Sequence, residues 1–285
     1  MTPRIRSPLA ALVAVPVICI AGALAILSSW FPMRALIGLE MATGHWISAT
    51  LVATGVVGGL AALAALVVGR QSPADLGLRG RDLLPAVGAT VGLWLAMQGA
   101  AVMAAAISGT SVTWQPGWST QALGGAMLGP LLAQLVANAL MEEINFRGFL
   151  WPQLALRLKT RVGDRAAWAV AAVASQAIFA LMHVPIRLYG GADAATLAAM
   201  LVNLFAIGLV FCVVYAATRN LFVVVGYHAL LNTPTLLVSS SGPAPQTVAT
   251  VAVLALAAAC VWRRRIAGRR LQAGDAPVAF AVQDG

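Results

Sequence analysis

The sequence predicts an all-α, polytopic transmembrane bundle of about eight helices, and three observations carry that prediction. Sixty per cent of the 285 residues are hydrophobic and only 9% are charged, with a mean hydropathy of +0.87. A soluble domain carries roughly 25% charged residues, so a soluble chain of this composition could not cover its surface. Several apolar runs reach the roughly 20 residues that span a bilayer. The Lys and Arg residues alternate between the linkers, as the positive-inside rule requires.

The spans are expected at about 8–29, 47–69, 84–107, 122–157, 166–186, 195–218, 221–239 and 246–262. Turn-rich linkers such as Arg70-Gln71-Ser72-Pro73 and Ser239-Ser240-Ser241-Gly242-Pro243 separate them. With a cytoplasmic N-terminus, the inside segments hold Arg4, Arg6, Arg70, Arg79, Arg81, Arg157, Lys159, Arg161, Arg165, Arg219, Arg263, Arg264, Arg265, Arg269 and Arg270. The outside segments hold only Arg34 and Arg187, and Arg147 is left within a span. A wrong span count would scramble this asymmetry downstream of the error, so both termini are expected in the cytoplasm. The first run has a signal-like start in Arg4 and Arg6. Its apolar stretch of about 22 residues exceeds the roughly 7–15 of a signal core, which favours a retained helix. The chain reads as a single transmembrane domain over 1–270, followed by a disordered tail over 271–285.

The net charge of +9 does not indicate nucleic acid, because the cations sit between apolar runs and form no basic face interleaved with aromatics. Cys19, Cys212 and Cys260 all fall in apolar runs without a CxxC pair, so they read as small buried residues rather than a disulfide framework. The spacing Gly55-Val56-Val57-Gly58-Gly59 is a candidate helix-packing face.

Seven of the nine acids lie in loops or tails: Glu40, Asp75, Asp82, Asp164, Asp193, Asp275 and Asp284. The other two, Glu142 and Glu143, are adjacent within the fourth apolar run. An ionisable group at that depth costs at least a few kcal/mol and normally faces the bundle interior. Gln134, Asn138, Glu142 and Asn145 are spaced 4, 4 and 3 apart, which puts them on one helical face. Glu143 points about 100° away at 3.6 residues per turn. It stands four residues before Arg147, the favourable order for an ion pair. Geometry therefore gives the doublet two roles: Glu142 faces the polar interior and Glu143 can be held by Arg147. Helix–helix adhesion would need only Asn and Gln.

Of three histidines, His45 sits beside Trp46 at an expected outer boundary and reads as interfacial. His183 closes Phe179-Ala180-Leu181-Met182-His183, and His228 opens His228-Ala229-Leu230-Leu231-Asn232, where His228 and Asn232 share a face. Singly, each is more often a packing residue. Beside an intramembrane glutamate, such groups can activate water by acid–base chemistry or through a metal. His and Asn on one face can also donate to a developing oxyanion.

Glu142 to Arg147 matches EExxxR, Phe179 to His183 matches FxxxH, and His228 to Asn232 matches HxxxN. In that order, over about 120–235, these motifs resemble the CPBP family of intramembrane proteases. That family takes in CAAX prenyl endopeptidases and bacterial bacteriocin-processing or self-immunity (Abi) proteins. The resemblance implies that Glu142 is the general base for the attacking water and that His183 assists it. It further implies that His228 and Asn232 form the oxyanion site and that Glu143 and Arg147 support the first glutamate. It implies a membrane-associated peptide or protein as substrate and a place in the cytoplasmic membrane of a bacterium. Glu142, His183 and His228 are also candidate ligands for zinc, although HExxH is absent. A metal-free glutamate mechanism stays open beside it. Two other functions compete: a proton- or ion-coupled transporter, against which no paired halves are visible, and a non-catalytic immunity or scaffold protein on the same fold.

Overall fold

The computed structural model describes residues 5–118, 124–239 and 242–274. Its helices are α1 (Leu9–Ile26), α2 (Met33–Ala42), α3 (Ala49–Val67), α4 (Leu83–Ser108), α5 (Gly125–Val136), α6 (Asn138–Glu143), α7 (Trp151–Val162), α8 (Asp164–Leu181), α9 (Val184–Tyr189), α10 (Ala194–Thr218), α11 (Leu221–Asn232) and α12 (Pro245–Gly274). A π-helical turn, Ile144–Leu150, joins α6 to α7. The strand pair β1 (Thr113–Trp114) and β2 (Val238–Ser239) runs antiparallel, with Thr113 opposite Ser239.

Among the described residues, six helical stretches are long and apolar enough to cross a membrane: Leu9–Ile26, Ala49–Val67, Gly80–Ser108, Asp164–Tyr189, Ala194–Thr218 and Pro245–Gly268. They correspond to six of the eight expected spans. Their outer faces carry exposed apolar side chains such as Leu84, Val67 and Ile107, the pattern of a helix whose solvent is lipid.

The other two expected spans take different forms. The fourth, expected as one helix over 122–157, is broken. It bends at Ala137, where φ is −129° and ψ −84°, and widens into the π turn before resuming as α7. Its expected start, 122, lies outside the described residues. The seventh, expected over 221–239, stops as a helix at Asn232. Pro234 disfavours the α region at Thr233, which is extended at φ −141° and ψ 82°. Residues 233–239 continue as non-helical chain, with Thr235 in the left-handed region at φ 45° and a strand at Val238–Ser239. In lipid such a backbone must find partners within the protein. Trp94 donates its indole N–H to the Thr235 carbonyl at 3.1 Å, Gln98 Oε1 accepts from the Leu237 amide at 2.9 Å, and Trp118 donates to the Leu236 carbonyl at 2.9 Å.

Further differences concern loops and ends. Residues 33–42, read as linker, form α2, a short helix without buried residues. Helix α12 continues to Gly274, into the first residues of the expected tail. Residues 275–285 lie outside the described residues, as do Arg4, Ser240 and Ser241.

Local chemistry fixes several helix starts and stops. Ser48 caps α3 by accepting from the Leu51 amide, and Asp193 caps α10 by accepting from the Thr196 amide. That bond holds the Asp193 carboxyl below the usual carboxylate range. Asn220 caps α11 through its side-chain oxygen on the Phe222 amide. Its amide nitrogen reaches the Asp82 carbonyl at 2.6 Å, tying α11 to the start of α4. Gly163, at φ 78°, turns the chain between α7 and α8. Helix α11 is the centre of the bundle: nine of its twelve residues are buried, and α4, α5, α6, α10 and α12 pack around it.

The small residues of α3 do pack helices, and they do so within the chain. A Cβ on Gly58 would lie 2.3 Å from Met141 Cβ, and one on Gly55 would lie 3.3 Å from Ala137 Cβ. The gap that Gly58 leaves brings α6, and with it Glu142, against α3.

Candidate active site

Glu142 stands on the last turn of α6 and projects into a cavity of about 1010 Å³. The same cavity is lined by Gln134, Asn138 and Asn145 of the polar stripe, by His183 at the end of α8, and by His228 and Asn232 of α11. The bend at Ala137 does not scatter the stripe, whose four members face one space.

The two histidines flank the Glu142 carboxylate. His183 Nε2 lies 4.0 Å from one oxygen and His228 Nε2 lies 3.7 Å from the other. Both separations exceed a direct hydrogen bond and suit one bridging water. The opposite nitrogen of each ring is anchored. His183 Nδ1 donates to the Phe179 carbonyl at 2.8 Å, a bond that the four-residue FxxxH spacing supplies on one helical turn. His228 Nδ1 lies 2.8 Å from Glu143 Oε1. Each Nε2 is thereby directed towards Glu142. The rings are also packed, His183 edge-on to Phe179 at 4.9 Å and His228 against Phe211 at 4.6 Å.

Glu143 and Arg147 form a fully buried ion pair behind the cavity wall, 3.2 Å apart. Glu143 Oε1 is shared between Arg147 and His228. Arg147 reaches further than its sequence partner. Its Nη2 donates to Gln176 Oε1 at 2.7 Å and to the Gly208 carbonyl at 3.4 Å. Its guanidinium sits between the rings of Phe179, at 4.4 Å, and Phe211, at 4.8 Å. The π turn places it there. Turns of this kind are rare and frequent at functional sites. Gly148 within the turn permits the approach of the Leu76 carbonyl, which a Cβ would meet at 2.4 Å.

Asn232 Nδ2 donates to Gln134 Oε1 at 2.9 Å, and the same oxygen accepts from Asn138 at 3.1 Å. Asn145 donates instead to the Gly58 carbonyl at 3.2 Å and so braces α6 against α3. His45, off the cavity, lies 3.3 Å from Glu40.

Sequence reasoning missed Gln176, Gly208 and Phe211. Gln176 carried a signal, as a lone amide in an apolar run. Gly208 and Phe211 carried none, because nothing in the pattern of that run separates them from their neighbours. They give α10, which holds no motif, a part in the site.

The donor set of Glu142, His183 and His228 has the chemistry of a zinc site. Among the described residues, however, no group of three or more His, Cys, Asp or Glu side chains is arranged to hold a metal ion.

No curated protein matches the chain. Residues 124–234, which contain Glu142, Glu143, Arg147, His183, His228 and Asn232, match the model of the family described as type II CAAX prenyl endopeptidase Rce1-like.

Proposed function

We propose that the chain is an intramembrane endopeptidase in which Glu142 activates the attacking water. One observation carries the reading: a carboxylate flanked by two imidazole Nε2 atoms at water-bridging distance, inside a cavity in an apolar bundle. A water between Glu142 and His183 gives up a proton to the carboxylate as its oxygen attacks the peptide carbonyl carbon. The tetrahedral oxyanion takes hydrogen bonds from His228 Nε2–H and Asn232 Nδ2–H. In this step the ring donates through Nδ1–H to Glu143 and through Nε2–H to the oxyanion, with the Glu143 and Glu142 carboxylates on either side of it. The proton held by Glu142 then passes to the leaving amine, the C–N bond breaks, and Glu142 returns to its charged form.

Each step uses only groups of this chain. Loss of cleavage on chelation, restored by zinc at one equivalent, would instead assign Glu142, His183 and His228 as ligands.

The substrate is a membrane-associated polypeptide. Purified in detergent, the protein is expected to cut such a peptide into two fragments that mass spectrometry identifies. Intact peptide, together with gradient-driven uptake by proteoliposomes, would replace the endopeptidase with a transporter.

A further inference from the structure

The cavity runs from the middle of the bundle, at Cys19, Phe211 and His228, to one end of it. Ile26 closes α1, Thr50 opens α3 and Arg187 lies on α9, just beyond α8. Asn232 closes α11 and Thr247 lies in the first turn of α12. N-terminal and C-terminal ends alternate along the chain, as an up-and-down bundle requires, and all of them meet at the cavity.

The opposite end is cationic. Every described Lys and Arg side chain except Arg34, Arg147 and Arg187 belongs to it, and contacts between helix ends hold it together. Arg157, midway along α7, donates to the Ser7 carbonyl before α1. Ser7 donates to the Gly69 carbonyl after α3 at 2.7 Å. Lys159 pairs with Asp164 across the α7–α8 turn at 2.8 Å. At the cavity end, by contrast, Arg34 and Arg187 are matched in number by Glu40 and Asp193. Exposed aromatic residues gather there too: Trp30, Trp114 and Tyr189. Aromatic residues concentrate at membrane interfaces, and short loops rich in Lys and Arg remain on the cytoplasmic side.

We infer that the cavity opens to the non-cytoplasmic side of the membrane. The polypeptide it takes is therefore a membrane-inserted or exported segment presented from that side, not the terminus of a cytosolic protein. The nature of the occupant rests on the endopeptidase reading; the direction of the opening does not.

Single cysteines and a charged, membrane-impermeant maleimide test the direction, with the unsubstituted chain as background. Gly38→Cys on α2 and Gly80→Cys before α4 both place a side chain in open space. Thr247→Cys lies on the exposed rim of the cavity. In spheroplasts of an expressing bacterium, Gly38→Cys and Thr247→Cys are expected to react, and Gly80→Cys only in inverted vesicles. Should Gly80→Cys fail to fold, Gly268→Cys on α12, also in open space, repeats the measurement. The reverse pattern, or equal reaction from both sides, overturns the orientation. Reaction of Thr247→Cys from the Gly80 side, or from neither side, overturns the opening. A chain that labels as expected yet cuts no peptide keeps the orientation and loses the endopeptidase assignment.

Discussion

Arg147→Met removes a guanidinium and leaves its carboxylate partner in the core. The wild-type side chain donates to Glu143 Oε1, Gln176 Oε1 and the Gly208 carbonyl at 3.2, 2.7 and 3.4 Å. It also lies between two phenyl rings. Glu143 is fully buried, so the substitution strands a charge away from solvent. Breaking a buried pair from one side costs about 3–5 kcal/mol. Glu143→Gln removes the stranded charge, so the double variant should recover about 1–3 kcal/mol of that loss as coupling between neighbours. Cleavage should not recover with stability, because His228 Nδ1 has lost its carboxylate in the double variant. Denaturant unfolding in detergent, followed by helical circular dichroism, reads the stability cycle; a peptide-cleavage assay reads the other quantity. Additive losses, or Arg147→Met as stable as wild type, would refute the buried-pair reasoning. Full activity in the double variant would refute the role given to Glu143.

Two further predictions come from contacts around the same wall. A Cβ on Gly208 would lie 2.6 Å from Gln176 Oε1 and 3.1 Å from Arg147 Nη2; Gly208→Ala should therefore lower stability by about 1–3 kcal/mol, and an unchanged unfolding midpoint would contradict the close approach. Asn232→Ala removes one oxyanion donor and should lower kcat by about 10²–10³ with KM little changed. Gln134→Ala, which frees Asn232 Nδ2 from its acceptor, should lower kcat less than Asn232→Ala does; steady-state kinetics that reverse this order would remove Asn232 from the oxyanion site.

The parts of this architecture that were legible in the sequence are those with a local signal. Apolar runs long enough to cross the bilayer are read from composition alone, and six of them appear as uninterrupted spans. The separation of Glu142 from Glu143 follows from helical periodicity, since adjacent residues on a helix point about 100° apart. Arg147 as the partner of Glu143 follows from a spacing of four. What the sequence hid depends on tertiary context. A run of good helix formers gives no sign of the bend at Ala137 or of the π turn, which turns the Arg147 guanidinium towards α8 and α10. The link between Glu143 and His228 joins residues 85 apart and has no periodic signature. The shortening of the seventh span was signalled by Pro234, which a hydropathy pattern overlooks. Its non-helical continuation is sustained by distant donors and acceptors on Trp94, Gln98 and Trp118.

The central claim is that Glu142 carries the proton of the attacking water. Glu142→Gln keeps the size and polarity of the side chain and removes its basicity. The account predicts a fall in kcat by at least about 10²-fold, with the unfolding midpoint and the circular dichroism of the purified protein unchanged. Cleavage of the same membrane peptide by Glu142→Gln at the wild-type rate would contradict it.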